Sequence, residues 1–211
     1  MFHLLSGFLL LIGHSFAQDQ LSADAVSFTE PQKITIFDDA SVDFPLYTYT
    51  AQSQTASSTL KGYPVAHLVD GKNNTAWVEG EKGSGVNSTI TFTFPMGEHQ
   101  PDVIKIVPGY LKSDKLWYAN QRVSKVRLRF LKSDEENKAV IEDTIVTLKK
   151  IDGRIPPKAQ YIMLNPLFLH NMGFMDFQYL EVTILEVDDQ GSKFSDTCIS
   201  EISFYKHKIS P

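Results

Sequence analysis

The sequence has little that could staple a fold together or attract a polyanion. One cysteine among 211 residues excludes an internal disulfide. Lysine and arginine number 20 against 25 aspartate and glutamate, which gives a formal net charge of −5. This acidic balance argues against nucleic-acid binding, which normally needs a basic surface. It also argues against polybasic attachment to anionic lipid.

Long apolar runs are missing as well. The run from Leu4 to Ile12 is shorter than the ~20 residues that a membrane-spanning helix needs. Ser15 and Ala17 place small residues where a signal peptidase reads them, so we predict a signal peptide over residues 1–17. No lysine or arginine precedes the run, and the alternative is a buried N-terminal strand or helix. The prediction implies a secreted or extracytoplasmic protein, in the periplasm or at the cell surface, with no transmembrane segment.

Signatures of catalysis are also scarce. The histidines show no tight metal-ligand spacing, and Gly83-Ser84-Gly85 is too short for the nucleophile elbow of a hydrolase. Cys198 is expected to be a small buried side chain, with a catalytic thiolate as the alternative. A hydrolase with two carboxylates stays open, because folding could bring any acidic pair together. The sequence therefore favours a protein that is not an enzyme.

Alternation of polar and apolar residues is frequent, whereas no convincing helical stripe is present. Residues 89–94 alternate strictly, and Val126, Leu128 and Phe130 share one face of a second segment. A leading strand is predicted at 34–37, and residues 165–176 fit no strand pattern. Seven or eight short strands predict an all-β antiparallel sandwich or barrel. The further predicted strands are 103–107, 139–148, 161–164, 179–187 and 199–205.

Six short motifs occur in a recognisable order. They are Ala56–Leu60, Tyr63–Gly71, Thr75–Gly80, Gly109–Ser113, Tyr118–Val123 and Asp196–Ile202. Together they resemble the NADase-type glycan-binding domain, a discoidin-like (coagulation factor 5/8 type C) module of the galactose-binding-like fold. The resemblance runs from about residue 51 to 206, which leaves 18–50 as an N-terminal extension. It implies a jelly-roll β-sandwich that binds carbohydrate, and the chain has no room for a second, NAD-hydrolysing domain.

The loop Asp70–Thr75 concentrates oxygen donors around a turn glycine. Calcium takes six to eight oxygens, several of them from backbone carbonyls. The resemblance implies a structural calcium held by Asp70, the backbone of Lys72 and Asn73, Thr75 and Glu201. The alternative is a loop closed by hydrogen bonds from the aspartate side chain, without metal.

Residues for sugar contact are predicted from the loops that bound successive strands. Sugar hydroxyls both donate and accept, so carboxylate, amide, cationic and aromatic groups suit such a site. The predicted contacts are Glu79, Tyr110, Lys112, Trp117, Tyr118, Asn120 and Arg122. Trp77 is expected in the core, and Trp117 is either a sugar platform or a plug over the sandwich end. Glu79 and Arg122 have the alternative role of pairing and bracing the loops.

The resulting expectation is a secreted, non-catalytic module whose partner is a glycan or glycoconjugate. One alternative is a surface adhesion protein that binds a protein partner through an apolar patch. That patch would comprise Leu167, Phe168, Leu169, Phe174, Met175 and Phe177. The same segment could instead close the core. A third alternative is an accessory subunit of a separate enzyme.

Overall fold

The computed structural model describes residues 34–38, 46–95, 100–134, 137–164 and 177–207. The predicted signal peptide at 1–17 and the segment 165–176 lie outside the described residues. Residues Pro31–Pro211 form one compact unit. Among the residues described, no helix has the length and apolar character needed to cross a bilayer.

Eleven strands and one short α-helix make up the described part of the chain. The strands are β1 Ile34–Asp38, β2 Leu46–Tyr49, β3 Ser53–Ala56, β4 Trp77–Val78, β5 Thr89–Thr93, β6 Val103–Pro108, β7 Gln121–Asp134, β8 Asn137–Thr147, β9 Gln160–Leu164, β10 Tyr179–Asp188 and β11 Thr197–His207. Helix α1 spans Asp114–Ala119, and a 3-10 helix spans Val65–Val69. Strand β1 lies where the leading strand is predicted.

The strands form two layers. One layer has the order β3-β5-β10-β7-β8, and the other has the order β1-β9-β6-β11, with β2 and β4 also paired to β11. A short parallel pairing of β7 with β11 joins them, through Gln121 with Thr197 and Arg122 with Cys198. The other strand pairings are antiparallel.

The core lies between the layers. Phe92 of β5 and Phe204 of β11 are not on paired strands, yet their ring centroids are 4.8 Å apart. Their contact therefore crosses from one layer to the other, as in a sandwich. The predicted all-β jelly-roll β-sandwich is therefore confirmed.

The alternation of β7 explains which face it buries. Val126, Leu128 and Phe130 are each at most 1% exposed. Arg127 and Arg129 point the other way and pair with Asp143 and Glu181. A period of two places successive side chains on opposite faces, so the predicted inward face is confirmed. Trp77 is also fully buried in this core, as expected.

Candidate functional site

A concave cavity lies at one end of the sandwich, where the motif segments meet. Its volume is about 280 Å³. We call it the tyrosine cavity, lined by Leu60, Tyr63, Val78, Tyr110, Leu116, Asn120, Phe194, Asp196 and Cys198. The rings of Tyr63 and Tyr110 meet edge to face, with centroids 6.0 Å apart. Phe194 is 53% exposed, so much of its ring is free to meet a ligand.

Polar groups occur beside these rings. Asp196 is partly exposed and contributes a carboxylate to the lining. Burial, and then the neighbouring Tyr63 and Cys198, raise the pKa of Tyr110, which keeps its hydroxyl protonated. A phenol in this form both donates and accepts hydrogen bonds. The cavity therefore combines aromatic surface with a carboxylate and phenol groups.

The backbone around Tyr110 is fixed by strand β11. Gly109 N–H donates to the Cys198 carbonyl at 2.9 Å, and Leu111 N–H donates to Ser200 Oγ at 2.9 Å. The Ser200 hydroxyl in turn donates to the Gly109 carbonyl at 2.9 Å. Tyr110 is thus held between two anchored neighbours, which orients its ring toward the cavity.

Cys198 lies in the wall of the cavity as a structural residue. Its side chain is buried, and burial followed by the nearby Asp196 and Glu79 raises the pKa of its thiol to about 12. A thiol with so high a pKa is not a nucleophile at neutral pH. The geometry therefore supports the expected role of Cys198 as a small buried side chain.

Arg122, next but one after the cavity residue Asn120, has no exposed surface. Its guanidinium pairs with Asp188 at 3.3 Å and stands 4.5 Å from the Trp117 ring centroid. It also donates to three backbone carbonyls, at 2.9 to 3.1 Å, those of Trp117, Asn120 and Gln190. Arg122 therefore braces the loops, as the alternative to sugar contact predicted. Its acidic partner, however, is Asp188 and not Glu79.

Asp188 completes this buried pair. Burial raises the pKa of Asp188, but the N–H groups of Ile155 and Gln190 and the Arg122 guanidinium outweigh it, so the pKa lies below its usual value. Ile155 N–H donates to Asp188 Oδ2 at 2.9 Å. The pair thus connects β7, β10 and the loop before β9.

Glu79 is also fully buried. Its carboxylate accepts from the N–H of Glu81 at 2.7 Å and from the N–H of Thr197 at 3.2 Å. Burial is the main cause of its raised pKa, which these two donors partly offset. Side chains without exposed surface do not reach a ligand, so the structure places Glu79 and Arg122 in positioning roles instead of sugar contact.

The remaining predicted residues divide around α1. Ser113 caps this helix, its Oγ accepting from Leu116 N–H. Trp117 is 2% exposed and its Nε1 donates to the Pro108 carbonyl at 3.2 Å, which matches the plug alternative. Tyr118, the next residue of α1, is 47% exposed. Lys112 is exposed, and it lines neither the tyrosine cavity nor the second concavity described next.

Tyr118 borders a second concavity, which we call the α1 groove. Its volume is about 540 Å³. Trp117 and residues 151–152 and 154–158 complete the lining. Of the seven predicted contact residues, Tyr110 and Asn120 thus line the tyrosine cavity, whereas Trp117 and Tyr118 line the α1 groove.

The predicted calcium ligands are close together. Asp70 accepts hydrogen bonds from Lys72 N–H at 2.9 Å and from Thr75 Oγ1 at 2.9 Å. Thr75 Oγ1 also lies 2.9 Å from the Lys72 carbonyl. Glu201 is near enough that the Asp70 charge adds to burial in raising its pKa. The loop therefore closes by its own hydrogen bonds, as the metal-free alternative expected, and also presents clustered oxygens.

The surroundings of the Glu201 carboxylate indicate whether this set of residues fits a cation. Glu201 is 4% exposed, and its Oε1 accepts from the Ser203 hydroxyl. Its Oε2 makes no hydrogen bond of ordinary geometry among the described residues, although the nearby Gly71 N–H acts to lower the pKa of the carboxyl. A buried carboxylate oxygen without a well-placed donor is costly unless a cation or proton meets it. In the described part of the chain, no three acidic, histidine or cysteine side chains are grouped so that they could hold a metal ion. The set therefore fits a hard cation that relies on carbonyl and hydroxyl oxygens as well as two carboxylates.

Comparison with known proteins gives the family. The sequence model of the NAD glycohydrolase translocation F5/8 type C domain matches residues 44–205. The chain belongs to this family. No curated protein sequence matches the chain. The matched range begins just before β2, whose pairing with β11 makes it an integral strand of the F5/8 type C domain.

Solved structures share the fold of the F5/8 type C domain at low sequence identity. The CBM32-1 and CBM32-2 domains of Clostridium perfringens ZmpB superpose with a TM-score of 0.55 at 15% identity, covering 83% of this chain and 42% of that chain. The longer ZmpB structure, which includes the M60 catalytic domain, superposes with a TM-score of 0.56 at 14% sequence identity. The match covers 84% of this chain and 17% of that chain. CBM32-3 from a C. perfringens family 31 glycoside hydrolase superposes with a TM-score of 0.50 at 18% sequence identity. The match covers 76% of this chain and 90% of that chain.

Three aromatic or acidic residues of the tyrosine cavity, Tyr63, Phe194 and Asp196, were not among the predicted contacts. Tyr63 and Asp196 belong to the motif segments but were given no role in binding. Phe194 is an aromatic residue in the polar stretch Asp189–Asp196, the same signal that drew attention to Trp117. Its position in a polar loop was therefore a usable sign, whereas the approach of Tyr63 to Tyr110 depends on the fold.

Proposed function

We propose that the protein is a non-catalytic carbohydrate-binding module, secreted or extracytoplasmic, that binds a glycan in the tyrosine cavity. The observation that carries the proposal is the lining of that cavity: three aromatic rings beside a partly exposed carboxylate. Membership of the F5/8 type C family and the fold shared with CBM32 domains support it.

The chemistry of a pyranose suits this lining. Its C–H face is apolar and packs on an aromatic ring, for which Phe194 offers an exposed surface. Its hydroxyls need acceptors and donors, which the Asp196 carboxylate and the Tyr110 hydroxyl provide. The cavity is small, so we expect it to take one terminal sugar residue. Arg122 and Glu79 contribute by holding the loops in place.

Two variants should weaken binding to a glycan first identified on an array in the presence of calcium. Phe194→Ala removes the exposed ring, and Asp196→Asn removes the charged acceptor while keeping the shape of the side chain. We expect each to lower affinity about tenfold in titration calorimetry, because each contact contributes roughly 1.4 kcal/mol.

Tyr47 provides the matched control for the aromatic change. It is 54% exposed on β2 and does not line the cavity. Tyr47→Ala should leave glycan affinity unchanged, and all variants should keep the wild-type melting temperature within a few degrees. Wild-type affinity in both cavity variants would contradict the assignment of this cavity.

We further propose that Asp70, the backbone of Lys72 and Asn73, Thr75 and Glu201 hold calcium. The supporting observation is the Glu201 oxygen beside the Asp70 loop that lacks a hydrogen bond of ordinary geometry. A bound calcium would neutralise the two carboxylates. It would also tie the loop after the 3-10 helix to strand β11, and so stabilise this part of the domain without taking part in any reaction.

Calcium should raise the melting temperature of the wild-type protein over that in chelator. At a calcium concentration 100 times the dissociation constant the stabilisation is about 2.7 kcal/mol, or roughly 5–10 °C for a domain of this size. Glu201→Gln should abolish the increase, because a neutral amide is a much poorer ligand. Lys105→Ala is the control that alters a neighbouring charge without removing an oxygen ligand. An identical melting temperature in calcium and chelator would contradict the proposal.

A further inference from the structure

The α1 groove has a charge opposite to that of the whole chain. Arg154 and Lys158 line the groove itself. Lys149 and Lys150 line an adjoining cavity of about 280 Å³, which shares Ile151, Pro156 and Lys158 with the groove. The four cations therefore lie within ten residues of sequence. All four are exposed. Among the described residues, Asp152 is the only acidic one that lines the groove. A local excess of positive charge on a protein of net charge −5 marks a specific surface and not a generally basic one.

These cations are not used to stabilise the fold. Among the described residues, none of the four lies within 4.0 Å of a carboxylate, unlike Arg127 and Arg129 on β7. Arg154 donates only to the neutral side chain of Gln190, at 3.0 Å. Their charges are therefore available to an anionic ligand.

The loop that carries the cations has a defined shape. Ile151 and Arg154 exchange two backbone hydrogen bonds of 2.7 and 3.0 Å across the turn Asp152-Gly153. Both turn residues have positive φ, 52° and 77°, which is the geometry of a type I′ hairpin turn. Ile155 follows at once and is fully buried. The tip of the loop is therefore held close to the sandwich.

The base of the loop is also fixed. The side chain of Gln160 is 1% exposed, accepts from Lys149 N–H at 2.7 Å and donates to the Lys149 carbonyl at 3.0 Å. Leu148 N–H donates to the Ser124 carbonyl at 2.9 Å. A loop fixed at its base and tip loses little conformational entropy when a ligand binds.

An aromatic surface stands beside the charges. Tyr118 is 47% exposed, and its ring is supported from behind by Trp117, with centroids 4.9 Å apart at 84°. Ile151 adds a side chain that is 52% exposed. An exposed ring with adjacent lysines meets both needs of a charged sugar: an apolar surface for the pyranose face and cations for its acidic group.

We propose that the α1 groove is a second saccharide-binding site, specific for acidic sugars that carry carboxylate or sulfate groups. The groove volume of about 540 Å³ is within the range of ligand sites. The inference does not depend on the tyrosine cavity, which is lined by other residues and presents a carboxylate instead of lysines. A concave surface with one supported ring favours a saccharide over a membrane or nucleic acid.

The test measures affinity for an oligogalacturonide with free carboxylates, for the same oligosaccharide with its carboxylates methyl-esterified, and for a sulfated heparin oligosaccharide. At least one acidic probe should bind, and the ester should bind at least about tenfold more weakly than the free acid if carboxylate is the group recognised. Added salt should weaken binding of the acidic probe. The two acidic probes distinguish a carboxylate from a sulfate ligand.

Variants locate the binding. Lys150→Ala/Lys158→Ala should lower affinity by about five- to 25-fold, since each exposed ion pair contributes up to about fivefold. Lys61→Ala/Lys82→Ala removes the same charge at exposed positions elsewhere and should change affinity less than about twofold. Tyr118→Ala should weaken binding, whereas Tyr118→Phe should retain it.

Asp152→Asn gives a change in the opposite direction. Asparagine accepts the positive φ at this position, so the turn is kept while the one acidic group of the groove is removed. Affinity for the acidic probe should rise about two- to threefold. If Asp152 only stabilised the turn, Asp152→Asn would not increase affinity for the acidic probe.

The proposal is separable from that of the tyrosine cavity. Phe194→Ala should leave binding of the acidic probe unchanged. Absence of binding to both acidic probes would overturn the inference. So would an ester that binds as tightly as a free acid that itself binds, or unchanged affinity for the bound acidic probe in Lys150→Ala/Lys158→Ala. Tighter binding to single-stranded DNA or to phosphatidylserine vesicles than to either acidic probe would also overturn it.

Discussion

Replacing Arg122 with alanine is expected to lower the free energy of unfolding by about 3–5 kcal/mol. The change leaves the Asp188 carboxylate buried without its cation, and it removes the guanidinium donor from the carbonyls of Trp117, Asn120 and Gln190. The Asn120 carbonyl keeps another donor, the Ser192 hydroxyl at 3.1 Å. Urea denaturation monitored by circular dichroism measures the loss. Because Arg122 holds the backbone at Trp117 and Asn120, the glycan affinity of the tyrosine cavity should fall as well.

Arg127 is the matched control for this prediction. It lies on the same strand and also pairs with an aspartate, Asp143, but both side chains are substantially exposed. Exposed pairs contribute at most about 1 kcal/mol, so Arg127→Ala should have a small effect. Equal losses in the two variants would show that burial does not set the contribution of Arg122.

Gly109→Ala is expected to destabilise the domain by about 2–5 kcal/mol. Gly109 has φ +87°, which costs an L-residue roughly 1–2 kcal/mol. A methyl group there would also lie 2.7 Å from Trp117 Cδ1 and 2.8 Å from Arg122 Cγ. Overpacking of this kind adds about 1–3 kcal/mol. The same denaturation experiment measures the sum.

The variant Gly83→Ala separates the cost of the backbone conformation from the cost of overpacking. Its φ is +101°, but nothing lies within 4 Å of the position its methyl group would take. Gly83→Ala should therefore show only the backbone cost of about 1–2 kcal/mol. If Gly83→Ala were as destabilising as Gly109→Ala, the packing of Trp117 and Arg122 against Gly109 would not be the cause.

The long strands were predictable because alternation is a local property. In β5 and β7 the inward face can be identified from a few consecutive residues, and the structure confirms it. The short strands β2 and β3 and the helix α1 were not predicted, and of β4 only the entry of Trp77 into a strand was. Strands of two to four residues and a helix of six residues are too short to show a period. Ser113 before Asp114 was the available sign of the helix start.

Burial divided the predicted site residues in a way that residue type could not. Glu79 and Arg122 are chemically suited to sugar contact, yet both are fully buried with backbone groups as partners. Trp117 and Tyr118 are adjacent in sequence, but one is 2% and the other 47% exposed. A polar loop and a short helix such as α1 cannot be told apart from so few residues. In a helix, however, the side chains of adjacent residues point in different directions.

The sequence by itself determined the family, the all-β class and the residues available for binding, because these depend on short motifs and on alternation along single strands. The tertiary structure decided which of those residues meet. Tyr63, Tyr110 and Asp196 share one cavity because β11 pairs with β4, β6 and the start of β7 and so gathers distant loops. Such pairings join residues far apart in the chain, and a local pattern contains no information about them.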